Sequence, residues 1–150
     1  MATRLASELI ENLQQIEAVV AGPDDANRLF TIAGQFVLGF SAVLGRGEGA
    51  RREVSGTYTL LLGPRFTRRQ FSKAIASVWL TKTYTSFGTA ATAATPIFFS
   101  LGISGVDADW DDESGQVELR FDVYADVGGG APSRAQIDSI AFQVTILGSV

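Results

Sequence analysis

The sequence predicts a mostly β protein, an antiparallel β-sandwich of six or more strands preceded by one N-terminal α-helix. Three observations lead to this fold class. Large apolar residues alternate with polar ones over most of the 150-residue chain, segments containing glycine or proline separate the alternating stretches, and no helical periodicity lies between them. A parallel sheet would need such helices as crossovers, so the strands are expected to pair antiparallel.

The first 22 residues are predicted to form the helical unit, and residues 23–150 the sandwich domain. Between Ala2 and Val20, apolar residues recur at alternating three- and four-residue steps, which is typical of a coiled-coil contact line. Turn-forming residues from Gly22 to Asp25 end the pattern. The helix would either lie on its own sheet or join several copies of the chain. In the second case its interface residues are Leu9, Leu13, Ile16 and Val20.

After Pro23 the apolar period changes to two, the period of β-strands. The first alternating stretch, residues 29–45, carries no charge and is interpreted as one long strand, or as two strands hinged at Gly34 or Gly39, and not as a membrane span. A Thr/Ala-rich tract, residues 85–95, is expected to form a long loop because a proline follows it. The other predicted strands are 53–62, 74–81, 97–103, 117–127 and 140–146.

The chain contains no cysteine and no histidine. This excludes disulfide scaffolds, thiolate and Ser-His-Asp catalysis, and every zinc, haem or iron site that needs those ligands. Acidic Glu8 and Glu11 lie where a secretory signal would have its apolar core, so no signal peptide is expected. The sequence therefore predicts synthesis in the cytoplasm, either as a cytoplasmic protein or as part of a virion-like particle assembled there.

An acidic segment, residues 107–113, is the strongest local signal. Its carboxylates at the first, third and fifth positions, followed by Glu118 at the twelfth, match the spacing of a calcium-binding loop. That loop needs glycine where Asp112 stands, and both flanks have the pattern of strands, so a solvated hairpin turn closed by Ser114 and Gly115 is the other interpretation. Calcium is thus the one cofactor considered, with the candidate ligands Asp107, Asp109, Asp111, Asp112 and Glu113.

Basic residues are concentrated between residues 46 and 73, which hold seven of the 12 in the chain. Because the region 107–126 is acidic, the sequence predicts an electric polarity of the molecule. The basic residues are interpreted first as solvated loops, and second as a surface that docks onto an acidic face of a neighbouring subunit. Nucleic acid is not the expected partner, since the net charge is −4. The basic residues are Arg46, Arg51, Arg52, Lys73 and three further candidates for the interface, Arg65, Arg68 and Arg69.

Two aromatic residues are candidate ligand contacts, because aromatic rings on polar surfaces stack on sugar rings. Trp110 lies within the acidic segment, and Tyr124 lies on the polar side of its predicted strand. Trp79 is instead expected to be buried, since its parity also holds Ile75 and the strand is apolar on both sides.

From Arg69 onward the order of the strand patterns resembles the H-type lectin sandwich, over about half the chain. Residues 71–80 (FSKAIASVWL) look like that family's early strand, 117–127 like its middle strand and 140–147 like its closing strand. The resemblance implies a sandwich of the kind found in sugar-binding lectins, usually trimers or hexamers, and in virus and phage tail proteins. The family's tryptophan near the closing strand is replaced by Phe142, so no binding residue is carried over.

The sequence as a whole predicts a non-enzymatic assembly or recognition module. The first hypothesis is a structural subunit of a larger particle, such as a phage-like tail or shell. Its partners would be further copies of the chain, for example in a homotrimer, or other subunits of the particle. The alternative is a leaderless lectin that binds glycans, with or without calcium. A glycoside hydrolase would need two acids across a cleft, and the acids of strand 117–127 alternate on one polar face, so they are interpreted as solvated.

Overall fold

The computed structural model describes residues 1–20, 27–88 and 96–149, and in them eight strands form two four-stranded sheets. Sheet A has the strand order β1-β4-β7-β6, and sheet B has the order β2-β3-β8-β5. All neighbours pair antiparallel except β1 and β4, which are parallel. The strands are β1 Thr3–Arg4, β2 Glu11–Val19, β3 Asn27–Leu44, β4 Arg51–Leu62, β5 Phe71–Ser86, β6 Phe98–Trp110, β7 Val117–Gly128 and β8 Ser133–Ser149.

The core lies between the two sheets and is built by the alternation that the sequence shows. Every second residue of β7, from Val117 to Val127, is buried, and so are the inward residues of β8. Phe36 of β3 contacts Phe121 and Phe142 at ring-centroid distances of 6.1 and 5.9 Å, which joins the two sheets at the centre. The predicted mostly β, predominantly antiparallel sandwich is therefore confirmed.

The predicted N-terminal helix is wrong, since the described residues contain no α-helix. Residues 3–4 form β1 of sheet A, a 3-10 turn follows at Ser7–Leu9, and residues 11–19 form β2 of sheet B. The physical reason lies in β3, whose 18 residues would otherwise leave a long row of backbone groups unpaired at one edge of sheet B. Pairing of β2 with that edge satisfies these backbone groups. The hydrogen bonds gained in this way outweigh the helix that the spacing of apolar residues predicts.

The N-terminal segment is anchored in the core where it crosses from one sheet to the other. Leu5 N donates to Thr59 O at 2.8 Å, and Ile10 packs against the core cluster. A β-carbon built on Gly34 of β3 would lie 2.6 Å from Ile10 Cγ2 and 3.1 Å from the Phe142 ring. Glycine at residue 34 therefore provides the space that Ile10 occupies.

The other strand predictions hold with longer bounds. Residues 27–44 form one strand with a bulge between Val37 and Phe40, where Gly39 has a φ of +62°. Strand β6 extends to Trp110 and so includes the first part of the acidic segment. The predicted loop 85–95 lies outside the described residues from position 89 onward, and β5 extends through Ser86. No helix in the described part of the chain is long and apolar enough to span a membrane.

Candidate functional site

The outer surface of sheet B between the pairs Leu29–Leu147 and Val37–Ser139 has no charged side chain at its centre, and we name this area the sheet B face. Cross-strand pairing places its side chains in rows, of which Ile16, Thr31, Thr145 and Ile75 form one. Charged side chains occur only at its border. Its central residues are Ile16, Ala18, Leu29, Thr31, Ala33, Gln35, Val37, Ala141, Gln143, Thr145, Leu147, Ile75, Ser77 and Trp79. Glu11, Lys73, Lys82 and Asp138 lie at its border, and Arg134 lies beyond Asp138 on the outward side of β8.

Large apolar side chains on the sheet B face are open to solvent. Ile16 and Val37 are each 65% exposed, Ile75 is 61% exposed and Trp79 is 46% exposed. The expected burial of Trp79 is therefore wrong, because β5 is an edge strand whose outer side nothing in the described chain covers. Single exposed apolar residues are ordinary on protein surfaces, but several on one uncharged sheet face are typical of a contact surface.

The outer surface of sheet A, which we name the sheet A face, is strongly charged. The best-defined ion pair on it joins Arg51 to Asp126, with Arg51 Nε 2.9 Å from Oδ1 and Nη2 2.5 Å from Oδ2. These hydrogen bonds, and the attraction of the carboxylate, raise the pKa of the Arg51 guanidinium. Arg4 also binds Glu118 at 3.1 Å. The charged residues of the face are Arg4, Arg51, Glu53, Asp107, Asp109, Glu118, Arg120, Asp122 and Asp126.

Tyr124 lies at the middle of the sheet A face, between Ser55 of β4 and Gly102 of β6. A β-carbon built on Gly102 would lie 2.4 Å from the Tyr124 Cζ atom, so the phenol ring leans over β6 in space that only glycine leaves free. On the same face, Asp122 Oδ1 accepts a hydrogen bond from Thr57 Oγ1 at 2.5 Å. Asp122 and Tyr124 occupy successive outward positions of β7, and both are partly exposed.

The candidate calcium ligands do not converge on one point. Asp107 and Asp109 belong to β6 and lie on the sheet A face. Asp111 closes the β6–β7 turn, where hydrogen bonds from the Ser114 side chain and backbone lower the pKa of its carboxyl. Asp112 and Glu113 lie within that turn. Among the described residues, no group of three or more acidic side chains is arranged to hold a metal ion.

Of the N-terminal candidates for an interface, Leu9, Leu13 and Ile16 are exposed and Val20 is partly exposed, and none of them lies in an α-helix. Leu9 is 58% exposed in the 3-10 turn, and Leu13 is 53% exposed in β2. Ile16 lies on the sheet B face. Val20 follows β2, and its backbone N donates to Asn27 O at 3.0 Å.

The arginine candidates belong to the β4–β5 connection, residues 63–70, which packs on the β6–β7 turn. Phe66 N donates to Gly115 O at 2.7 Å, and Trp110 Nε1 donates to Phe66 O at 3.0 Å. The Arg68 guanidinium lies 5.7 Å from the Trp110 ring centroid, so Trp110, predicted as a ligand contact, is covered by Arg68 and packs against the core. Arg65 and Arg69 are exposed, and neither has an ion pair among the described residues.

The predicted separation of basic and acidic regions is therefore wrong. The connection that carries Arg65, Arg68 and Arg69 lies beside the acidic turn, since antiparallel pairing brings the end of β4 to the start of β7. Arg51 and Arg52 lie at the opposite end of the sandwich, opposite Gly128 and Val127. The charge asymmetry is between the two faces and not between the two ends.

Sequence reasoning missed the sheet B face and the pairing of Tyr124 with Asp122. A usable signal was present, because the outward residues in the central parts of β3, β5 and β8 are Thr, Ala, Gln, Ser and a few large apolar residues, with charged residues only further along the strands. Comparisons with protein-family models, with curated proteins and with solved structures found no match to this chain.

Proposed function

We propose that this protein is a non-enzymatic assembly module, a structural subunit of a larger particle, and that its copies associate through the sheet B face. The observation that carries the proposal is the contrast between the faces. One outer face has exposed isoleucine, valine and tryptophan with charge only at its border, and the other carries nine charged residues, Arg4, Arg51, Glu53, Asp107, Asp109, Glu118, Arg120, Asp122 and Asp126.

A second copy of the chain is the partner that this face fits. A two-fold interface brings the same patch of both copies together, so it must be complementary to itself. An uncharged face meets this requirement without like-charge repulsion, whereas the sheet A face would bring an excess of carboxylates against another such excess. Two sheets packed face to face at about 10 Å form the arrangement of an ordinary sandwich core.

The projected area of the sheet B face is about seven tenths of the area that one partner buries in a typical stable complex. Four strands about 4.8 Å apart and about nine residues long, at about 3.3 Å per residue, cover about 19 by 30 Å in projection. That is about 570 Å² before the relief of the side chains is counted, against about 800 Å² per partner in a typical stable complex.

The test is the association state of two matched serine variants, measured by sedimentation velocity. Ser77 lies on the sheet B face, Ser104 lies on the sheet A face, and both are exposed residues of edge strands. At about 500 mM NaCl, where contacts between exposed charges are screened, we expect Ser77→Lys to weaken self-association at least about tenfold, because it places a charge in an apolar contact. Ser104→Lys serves as the control and should leave it unchanged.

Two results would contradict the proposal. One is a wild-type chain that is monomeric at about 100 µM, because the dissociation constant would then exceed that concentration. The other is an equal effect of both lysines, which would place the contact elsewhere. Circular dichroism of both variants verifies that each is folded before its association is measured.

A further inference from the structure

The sheet A face contains one complete arrangement of arginine, carboxylate and aromatic ring. Arg51 of β4 forms its hydrogen bonds with Asp126 of β7, and its guanidinium lies 5.9 Å from the ring centroid of Phe98 of β6. A β-carbon built on Gly128 would lie 2.5 Å from the Phe98 ring, so this ring leans over a glycine. Arginine suits such a position because its planar guanidinium binds a carboxylate with two hydrogen bonds and stacks on aromatic faces.

A second arrangement on the same face has the ring and the carboxylate but lacks the arginine. The Tyr124 ring also leans over a glycine, Gly102, and Asp122 precedes it on β7 by two residues. Thr57 satisfies one oxygen of Asp122, and no basic side chain pairs with this carboxylate in the described part of the chain. A cavity of about 470 Å³ lined by Met1, Ser55, Gly56, Thr57 and Asp122 opens beside it.

We propose that Tyr124 and Asp122 form a binding site for a guanidinium group, and that an arginine of a second copy supplies it. The site repeats the chemistry of Arg51, Asp126 and Phe98 a short distance along β7. Bound guanidinium donates hydrogen bonds to Asp122 and lies on the exposed surface of the Tyr124 ring, a cation–π contact.

The donor is Arg65 or Arg69 of the β4–β5 connection in that second copy. Both are exposed and have no ion pair among the described residues, whereas Arg68 already lies over the Phe71 and Trp110 rings. The connection itself is held in place by buried Phe66. A donor on a rigid segment loses less conformational entropy when it binds.

This contact joins two different surfaces of the chain, and none of its residues belongs to the sheet B face. A two-fold contact through the sheet B face alone closes at two copies. A second contact of this kind lets association continue beyond that number, as a subunit of a larger particle requires. It also depends on charge, so salt distinguishes it from the apolar contact.

The experiment uses the Ser77→Lys chain, in which the sheet B contact is weakened, and sedimentation velocity at about 50 and about 500 mM NaCl. We expect association at low salt that disappears at high salt. Asp122→Arg should abolish it, and so should Arg65→Asp with Arg69→Asp. Mixing these two variants should restore it, because each then supplies the charge that the other has lost. Arg46→Asp with Arg52→Asp is the matched control, with the same charge change at the other end, and should keep the association.

Asp122→Asn is the conservative variant, since an amide still accepts the hydrogen bond from Thr57. It should weaken the low-salt association about tenfold. The proposal is overturned if association does not depend on salt, if Asp122→Asn and Asp122→Arg both leave it unchanged, or if the mixed variants fail to recover it. If the Ser77→Lys chain self-associates at high salt as strongly as the wild-type chain, the sheet B contact is contradicted instead. The two failures are therefore distinguishable.

Discussion

The crossing of the N-terminal segment between the sheets can be tested by a pair of substitutions at Gly34 and Ile10. A β-carbon at residue 34 would approach Ile10 Cγ2 to 2.6 Å and the Phe142 ring to 3.1 Å. Overpacking of this kind costs about 1–3 kcal/mol, and replacing a strand glycine by alanine returns about 0.5–1 kcal/mol. We expect Gly34→Ala to lower the free energy of unfolding by about 1–2 kcal/mol.

Ile10→Ala should cost about 1–2 kcal/mol, less than a fully buried isoleucine, because Ile10 is only partly buried. In the double variant the added methyl enters space that the isoleucine has left. The loss should therefore be at least about 1 kcal/mol smaller than the sum of the two single losses. Urea unfolding followed by the fluorescence of Trp79 and Trp110 measures all three variants.

Gly56→Ala is the matched control, since it also changes a glycine within a strand. A β-carbon there would meet Phe40 and Tyr58 at 3.4 Å, an ordinary contact distance. It should therefore raise the free energy of unfolding by about 0.5–1 kcal/mol, the gain from replacing a strand glycine without overpacking. If the losses at residues 10 and 34 add within about 0.3 kcal/mol, Ile10 does not occupy the space beside Gly34, and the reasoning is refuted.

Two side chains with shifted pKa values, Tyr58 and Asp111, predict how the stability of the fold depends on pH. Burial raises the pKa of Tyr58 above its ordinary 10.0, so the folded state keeps the phenol proton at a pH where the unfolded state loses it. The free energy of unfolding should therefore fall as the pH rises above about 10. Thermal unfolding should show a smaller fall for Tyr58→Phe. Hydrogen bonds from the Ser114 side chain and backbone lower the pKa of the Asp111 carboxyl below its ordinary 3.8. The ionised carboxylate therefore stabilises the fold above pH 3.8, and this contribution is lost as the pH falls through the lowered pKa. Asp111→Asn should make stability less dependent on pH in that range, and an unchanged pH profile would contradict the contact between Asp111 and Ser114.

The strand pattern was predictable because a buried sheet face requires one parity of each strand to be apolar. Strand β7 shows this most clearly, with every residue from Val117 to Val127 on one parity buried. The N-terminal segment was not predictable in this way, since the spacing of its apolar residues is helical, and only the free edge of β3 explains why Leu13 and Ile16 lie in a strand. Pairing across strands, and not local propensity, decides that structure.

The candidate surfaces depend on information that single strands do not contain. An exposed isoleucine at residue 75 has no significance by itself, but Ile16, Thr31 and Thr145 become its neighbours only through three strand pairings of different sequence separation. The same holds for Tyr124 and Gly102, which are far apart in sequence and adjacent in sheet A. Alternation predicts which residues face outward, and register decides which of them form a surface.

The division of charge between the two faces also specifies how copies of the chain can meet. With a net charge of −4 and carboxylates in excess on the sheet A face, two such faces repel each other, and repulsion is greatest at low salt. The sheet B face carries little charge, so an association through it should change little with salt. A contact between the sheet A face and the arginines of the β4–β5 connection should weaken with salt. Because the three encounters respond differently, a salt titration of the wild-type association identifies which surfaces are in contact without any substitution.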